Sequence, residues 1–139
     1  MSFVVDASVG LSWLLRDETS ARTDFALAQL HVEGAAAPTL WPLEIANGLL
    51  VAERRGRLTP EDASVAAEFV RTLPVKLHDL SLSRILGPIR ELANHQRLTI
   101  YDAGYLDLAM REGLAIATLD GALVAAAKQV GVPLLLRRR

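Results

Sequence analysis

Apolar residues in this chain follow two patterns, short runs of three to six positions and longer stretches at helical spacing. The runs are Phe3 to Val5, Ala35 to Ala37, "VKLHDL" from Val75, "LAIATL" from Leu114 and "VPLLL" from Val132. Short, mostly apolar segments of this kind suit strands buried on both faces. Between them, periodicity predicts helices from about Val9 to Leu15 and from about Ala21 to Val32. A third opens at Pro42, where a missing N–H costs nothing, and runs to about Arg55 before Gly56. In "LTPEDASVAAEFVRTL", Thr59 reads as an N-cap, Pro60 as the first turn and Asp62 as the returning carboxylate of a capping box. Leu82, Ile85, Leu86, Ile89 and Leu92 recur at helical spacing, with Gly87 and Pro88 expected to kink or split that helix. Another helix covers Asp102 to Glu112, and Leu123, Ala126, Ala127 and Val130 form one face of a last one. Strands alternating with helices predict an α/β fold, a single-domain three-layer α/β/α arrangement around a central parallel sheet of about five short strands. No repeat, low-complexity tract or linker divides the chain, so one domain is expected over 1–139.

The acids give this architecture a chemical edge. In open parallel sheets, ligands sit beyond the carboxyl ends of the strands. Asp6 directly follows the first run, and Asp120 follows "LAIATL". Asp102 starts a helix, which in such folds enters at the same edge, and Glu44 lies in the first turn of "PLEIANGLLVAERRG" with Asn47 three residues on. Each acid taken singly has an ordinary explanation: an aspartate before a helix caps it, and a first-turn glutamate complements the helix dipole. Capping does not explain why four should gather on one rim. Two like charges about 4 Å apart repel by roughly 4 kcal/mol at an effective dielectric near 20, so such a cluster calls for a cation. Oxygen-only ligands favour Mg2+ or Mn2+ over zinc.

Composition narrows the alternatives. Of 139 residues, 51% are apolar and 22% charged, which suits a globular domain rather than a disordered chain. No apolar run reaches the roughly 18 residues of a membrane span, and no secretory leader is expected at the N-terminus. The absence of cysteine excludes disulfides and thiolate metal sites and fits a cytoplasmic setting. A net charge of −1 confines any nucleic-acid contact to local patches. His31, His78 and His95 accompany no acid at ligand spacing, so histidine-based cleavage is disfavoured. No Ser, His and Asp set, GxGxxG or P-loop pattern occurs. Asp107 and Arg111, four apart on one helix, read as a surface ion pair.

Four segments together, "VVDASV", "PLEIANGL", "LTIYDAGYLDLA" and "AIATLDGAL", give the chain its resemblance to PIN domains, and most closely to the ribonuclease toxins of VapBC-type toxin–antitoxin pairs. Order, spacing and length all agree. The resemblance implies a PIN-like fold and a metal-dependent endoribonuclease that hydrolyses phosphodiesters with an activated water, leaving a 5′-phosphate and a 3′-hydroxyl. Asp6, Asp102 and Asp120 would then be direct or water-mediated ligands of one or two Mg2+ or Mn2+ ions, with Glu44 as ligand or base. Ser8, Asn47 and Thr118 match supporting positions. The Gly87-Pro88 pair departs from the expected helix.

RNA contacts are expected from Arg54, Arg55 and Arg57 or from Arg137, Arg138 and Arg139, with a solvated basic helix end as the alternative. The apolar surplus predicts interfaces formed by Leu11, Trp13, Leu14, Leu15, Trp41, Leu49 and Leu50, one for a homodimer and one for an antitoxin segment, although each of these residues could equally fill the core. Two rivals remain. A phosphoacceptor receiver domain would need a lysine near its last strand, and the two lysines, Lys76 and Lys128, sit elsewhere. A PIN scaffold that only binds a partner would have no need of mutually repelling acids.

Overall fold

The structure, a computed structural model, describes residues 1–136, so the arginines at 137–139 lie outside the described residues. The fully buried β1 (Phe3–Val5) leads into α1 (Ala7–Ser12), a 3-10 turn at Arg16–Glu18 and α2 (Ala21–Glu33). Next come β2 (Ala35–Pro38), α3 (Leu40–Arg54), α4 (Pro60–Thr72) and β3 (Val75–His78). The chain continues through α5 (Leu82–Arg84), a π-helical turn at Ile85–Ile89, α6 (Arg90–Gln96) and α7 (Ile100–Glu112), and ends with β4 (Ala115–Ala117) and α8 (Gly121–Val130).

The four strands form one parallel sheet in the order β3-β2-β1-β4, with Phe3 opposite Ala35 on one side and Ala115 on the other. Strand order reverses between β1 and β4, so the crevice beyond their carboxyl ends is the switch point of the sheet. The expected fifth strand, "VPLLL", does not form. Leu134 makes a single bridge to Ile116, through bonds from Ile116 N–H to the Pro133 carbonyl and from Leu135 N–H to the Ile116 carbonyl. With β4 only three residues long and Pro133 lacking an N–H, the ladder has nowhere to extend.

Two helices begin earlier than periodicity suggests. Asp6 accepts from Val9 N–H, so α1 begins at Ala7 rather than Val9. α3 begins at Leu40, which makes Pro42 its third residue, still among the positions without an intrahelical donor, and moves Glu44 into the second turn. At α4, Thr59 accepts from Asp62 N–H, but only this half of the expected capping box forms; the reciprocal box is between Ser20 and Thr23 on α2. The Gly87-Pro88 pair splits its helix as expected, through the π-helical turn.

Two glycines let α1 lie directly on α3. A Cβ at Gly10 would come within 2.7 Å of Ile45 Cδ1 and 2.9 Å of Trp41 Cζ2, and one at Gly48 within 2.5 Å of Leu11 Cδ1. Much of the apolar surplus is absorbed here. Leu15, Trp41 and Leu49 are core residues, Leu11, Trp13 and Leu14 are half-buried against it, and Leu50 alone of the seven is exposed. Asp107 is not a surface residue either. It is buried on α7, where Arg84 donates to it through Nε and Nη2 at 3.2 and 2.6 Å and Arg111 through Nε at 2.9 Å, pinning α5 to α7. No helix among the described residues is long and apolar enough to cross a membrane.

Candidate active site

The switch point is built around Asp6, the residue that ends β1. Its backbone continues the strand by donating to the Ala117 carbonyl at 3.2 Å, and its own carbonyl accepts from Trp41 Nε1 at 3.1 Å. The carboxylate is buried. Oδ1 accepts from Ser8 Oγ at 2.7 Å and Val9 N–H at 3.0 Å, while Oδ2 accepts from Thr118 Oγ1. An ionised carboxylate has about four acceptor positions, so these three bonds leave one for the rim.

Ser8 and Thr118 extend the network to β4. Ser8 Oγ also accepts from Leu119 N–H, and Thr118 Oγ1 from Asp120 N–H, each at 3.0 Å. Asp120 is exposed and caps α8 through Leu123 N–H. The loop after β4 is thereby laced to the loop after β1, which sets Asp6 and Asp120 on the same edge. The ordinary capping role and the rim position coexist in both residues.

Asp102 and Glu44 arrive on two further helices, α7 and α3. Thr99, not Asp102, caps α7, and Asp102 is the third helical residue, donating its N–H to Thr99 Oγ1 at 3.1 Å. Glu44 is half-buried on α3 and accepts at Oε1 from Tyr105 Oη at 2.7 Å. Tyr105, 1% exposed, is the residue that sequence reasoning missed. Its signal was available: it lies three residues after Asp102 on one helix face, and a buried tyrosine hydroxyl needs a partner.

Electrostatics tie the four acids together. Burial pushes the Asp6 carboxyl up to about 6, offset by its hydrogen bonds to Ser8, Thr118 and Val9 and reinforced by the charge of Asp102. Asp102 is also raised, by burial and then by the charges of Asp120 and Glu44. Burial and the hydrogen bond to Glu44 hold the Tyr105 hydroxyl protonated far above the ordinary tyrosine range. Among the described residues no three His, Asp or Glu side chains close around a single point at ligand distance. The side chains gathered at this edge offer oxygen donors alone, the chemistry that hard divalent cations take.

The remaining expected residues stand apart. Asn47 is exposed, one turn beyond Glu44. Arg54 and Arg55 are exposed near the far end of α3, about 15 Å along the axis from Glu44. Arg57 Nη2 pairs with Asp17 and Glu18, each at 2.8 Å. His31 and His95 are exposed, and His78 lies 3.5 Å from Glu112, so no histidine enters the site.

No protein-family profile matches the chain. Individual proteins do. It is 35% identical over 127 residues to Ribonuclease VapC3 of Pyrobaculum aerophilum, covering 86% of this chain and 90% of that protein. Ribonuclease VapC3 of Mycobacterium tuberculosis, in strains CDC 1551 and H37Rv, is 34% identical over 123 residues, covering 88% of this chain and 85% of each relative. The crystal structure of PAE2754 from Pyrobaculum aerophilum superposes with a TM-score of 0.70 at 26% identity, covering 91% of this chain and 84% of that one. The similarity covers most of this chain and most of each relative, and on that ground the chain belongs to the VapC ribonuclease family, with the PIN-like fold.

Proposed function

We propose that this protein is a divalent-metal-dependent endoribonuclease, the toxin of a toxin–antitoxin pair. The observation that carries the reading is the mutual repulsion of Asp102 with Asp120 and Glu44 beside the buried Asp6, at the switch point of the sheet. Carboxylates from four separate segments meet there, and the charges of Asp120 and Glu44 act on Asp102 as that of Asp102 acts on Asp6, a cost that a bound cation would offset.

A bound Mg2+ or Mn2+, as one or two ions, would acidify an attacking water and neutralise charge on the phosphodiester oxygens. The residues' own parts follow from their surroundings. Asp6, locked by Ser8, Val9 and Thr118, presents one fixed oxygen lone pair to the rim. Asp102 and Asp120 supply further oxygens from the first turn of α7 and the cap of α8. Glu44, oriented by Tyr105, serves as ligand or as the acceptor of the water's proton. The products are a 5′-phosphate and a 3′-hydroxyl.

The antitoxin and a second copy of the chain are the expected protein partners, in the cytoplasm. A groove of about 770 Å³ between the end of α1 and α4, lined by Trp13, Leu14, Val65 and Phe69 together with the charged Asp17 and Arg57, supports the first. Exposed Leu43 and Leu50 on α3 support the second.

The test is cleavage of total RNA by purified protein in Mg2+, in Mn2+ and in EDTA, with Asp6→Asn and Asp102→Asn alongside. Cutting requires the cation and both carboxylates on this reading. Cutting in EDTA, or undiminished in both variants, would falsify it.

A further inference from the structure

Five described residues have positive φ, and four of them are glycines: Gly34, Gly56, Gly113 and Gly131. The fifth is Arg97, at φ 55 and ψ 46, where it ends α6 in the left-handed conformation. Glycine adopts this conformation without a Cβ clash, whereas arginine is strained in it. Nothing local rewards the strain. The backbone bonds from Arg97 and Leu98 to the Ala93 carbonyl would form equally with glycine at 97, and the side chain joins no ion pair among the described residues. Strain kept at an exposed polar residue points to a role for its side chain.

Its place in the fold suggests the role. α7 runs back to the start of β4, so the turn from α6 into α7 stands on the edge of the sheet that carries Asp6 and Asp120. Arg84 and Arg111 are tied to Asp107, and Arg90 of α6 donates to the Leu86 carbonyl. Arg97 is exposed and uncommitted. Four residues on, Tyr101 is 61% exposed and directly precedes Asp102. A cation followed by an exposed aromatic is the pairing that grips single strands, the one on phosphate and the other on a base face.

We propose that this turn is a docking ridge for single-stranded RNA, with Arg97 on a backbone phosphate and Tyr101 stacked on a base next to the bond to be cut. The inference rests on the ribonuclease reading above and adds two residues that hold the substrate. The ridge lies beside the acids, whereas Arg54 and Arg55 stand a helix length away.

The test uses Asp6→Asn as the parent, so that RNA stays whole, and follows the anisotropy of a fluorescein-labelled mixed-sequence single strand across a salt series in Mg2+. Arg97→Gly should weaken binding and lower the slope of log affinity against log salt by about 0.7, the value of one single-strand phosphate contact. Its melting temperature should equal or exceed the parent's, because glycine relieves the strain. Tyr101→Ala should weaken binding about tenfold with the slope unchanged, and Tyr101→Trp should restore it. Unchanged affinity and slope in Arg97→Gly, or equal binding of a duplex of the same sequence, overturns the proposal. Failure of the parent to bind RNA, together with no Mg2+-dependent cutting by the wild type, instead overturns the ribonuclease reading itself.

Discussion

The hydroxyl of Tyr105 donates to Oε1 of Glu44 at 2.7 Å, joining α7 to α3 across 61 residues of sequence. The tyrosine is buried and the glutamate half-buried, so the bond fixes a rim carboxylate from inside the core. Hydrogen bonds to a charged group contribute about 1.5–3 kcal/mol when intact. Tyr105→Phe keeps the ring and removes the bond, and should lower stability by about 1–2 kcal/mol. Loss of an orienting partner typically costs 10–100-fold in metal affinity, and a drop of about tenfold in Mn2+ affinity by calorimetry is expected. Equal affinity in Tyr105→Phe and wild type would mean that the bond serves the core alone.

Asp6 gives the protein a pH dependence of definite sign. Burial raises its carboxyl from 3.8 to about 6, so between those values the folded protein holds a proton that the unfolded chain has released. Stability contributed by this group therefore falls as pH rises through that window, by about 3 kcal/mol in all. Metal-free wild type should lose stability relative to Asp6→Asn between pH 4 and pH 7, as measured by urea unfolding. A difference that stays flat with pH would show that Asp6 titrates normally.

Asp102 is the third residue of α7 and not its cap, so its carboxylate can be removed without losing the Thr99 bond. Relief of repulsion from Asp120 and Glu44 should then dominate. Metal-free Asp102→Asn should melt higher than wild type, and the rise on adding Mg2+ should shrink. A lower melting temperature would assign the residue chiefly to the helix dipole.

The α1–α3 contact has no room for a side chain at position 10. Gly10→Ala would press on the Trp41 ring and Ile45, and overpacking of this kind costs about 1–3 kcal/mol. Because Trp41 also bonds the Asp6 carbonyl, the variant should weaken Mn2+ binding along with stability. Chemical unfolding and calorimetry on the same samples check both, and normal values for each would place slack in the contact.

Asp107 should behave as a buried ion rather than a surface pair. Asp107→Ala leaves Arg84 and Arg111 without their shared carboxylate, and a loss of about 2 kcal/mol is expected, below the full cost of a buried pair because both arginines reach solvent. Arg111→Ala should cost less, since Arg84 retains both its bonds. Equal, negligible effects in thermal melts of both variants would return the cluster to the surface class.

The chain's local order was decided by sequence alone. Phe3 to Val5 followed by Asp6, and "AIAT" followed at one remove by Asp120, place carboxylates at strand ends because strand length and cap chemistry are local properties. Alternation of such strands with helices is enough to make the sheet parallel and to put those ends on one edge. Periodicity could not tell that "VPLLL" would stop at one bridge, because that depends on the length of the neighbouring β4. Nor could it tell that Trp41 would be core and Leu43 exposed, or that Asp107 would be buried, since all three sit on helices whose inward face is chosen by packing. The bonds that organise the site, Tyr105 to Glu44 and Thr118 to Asp6, span 61 and 112 residues. Only the crossover of the chain from β3 to β4 brings such partners together, and the spacing of residues along a chain carries no record of that path.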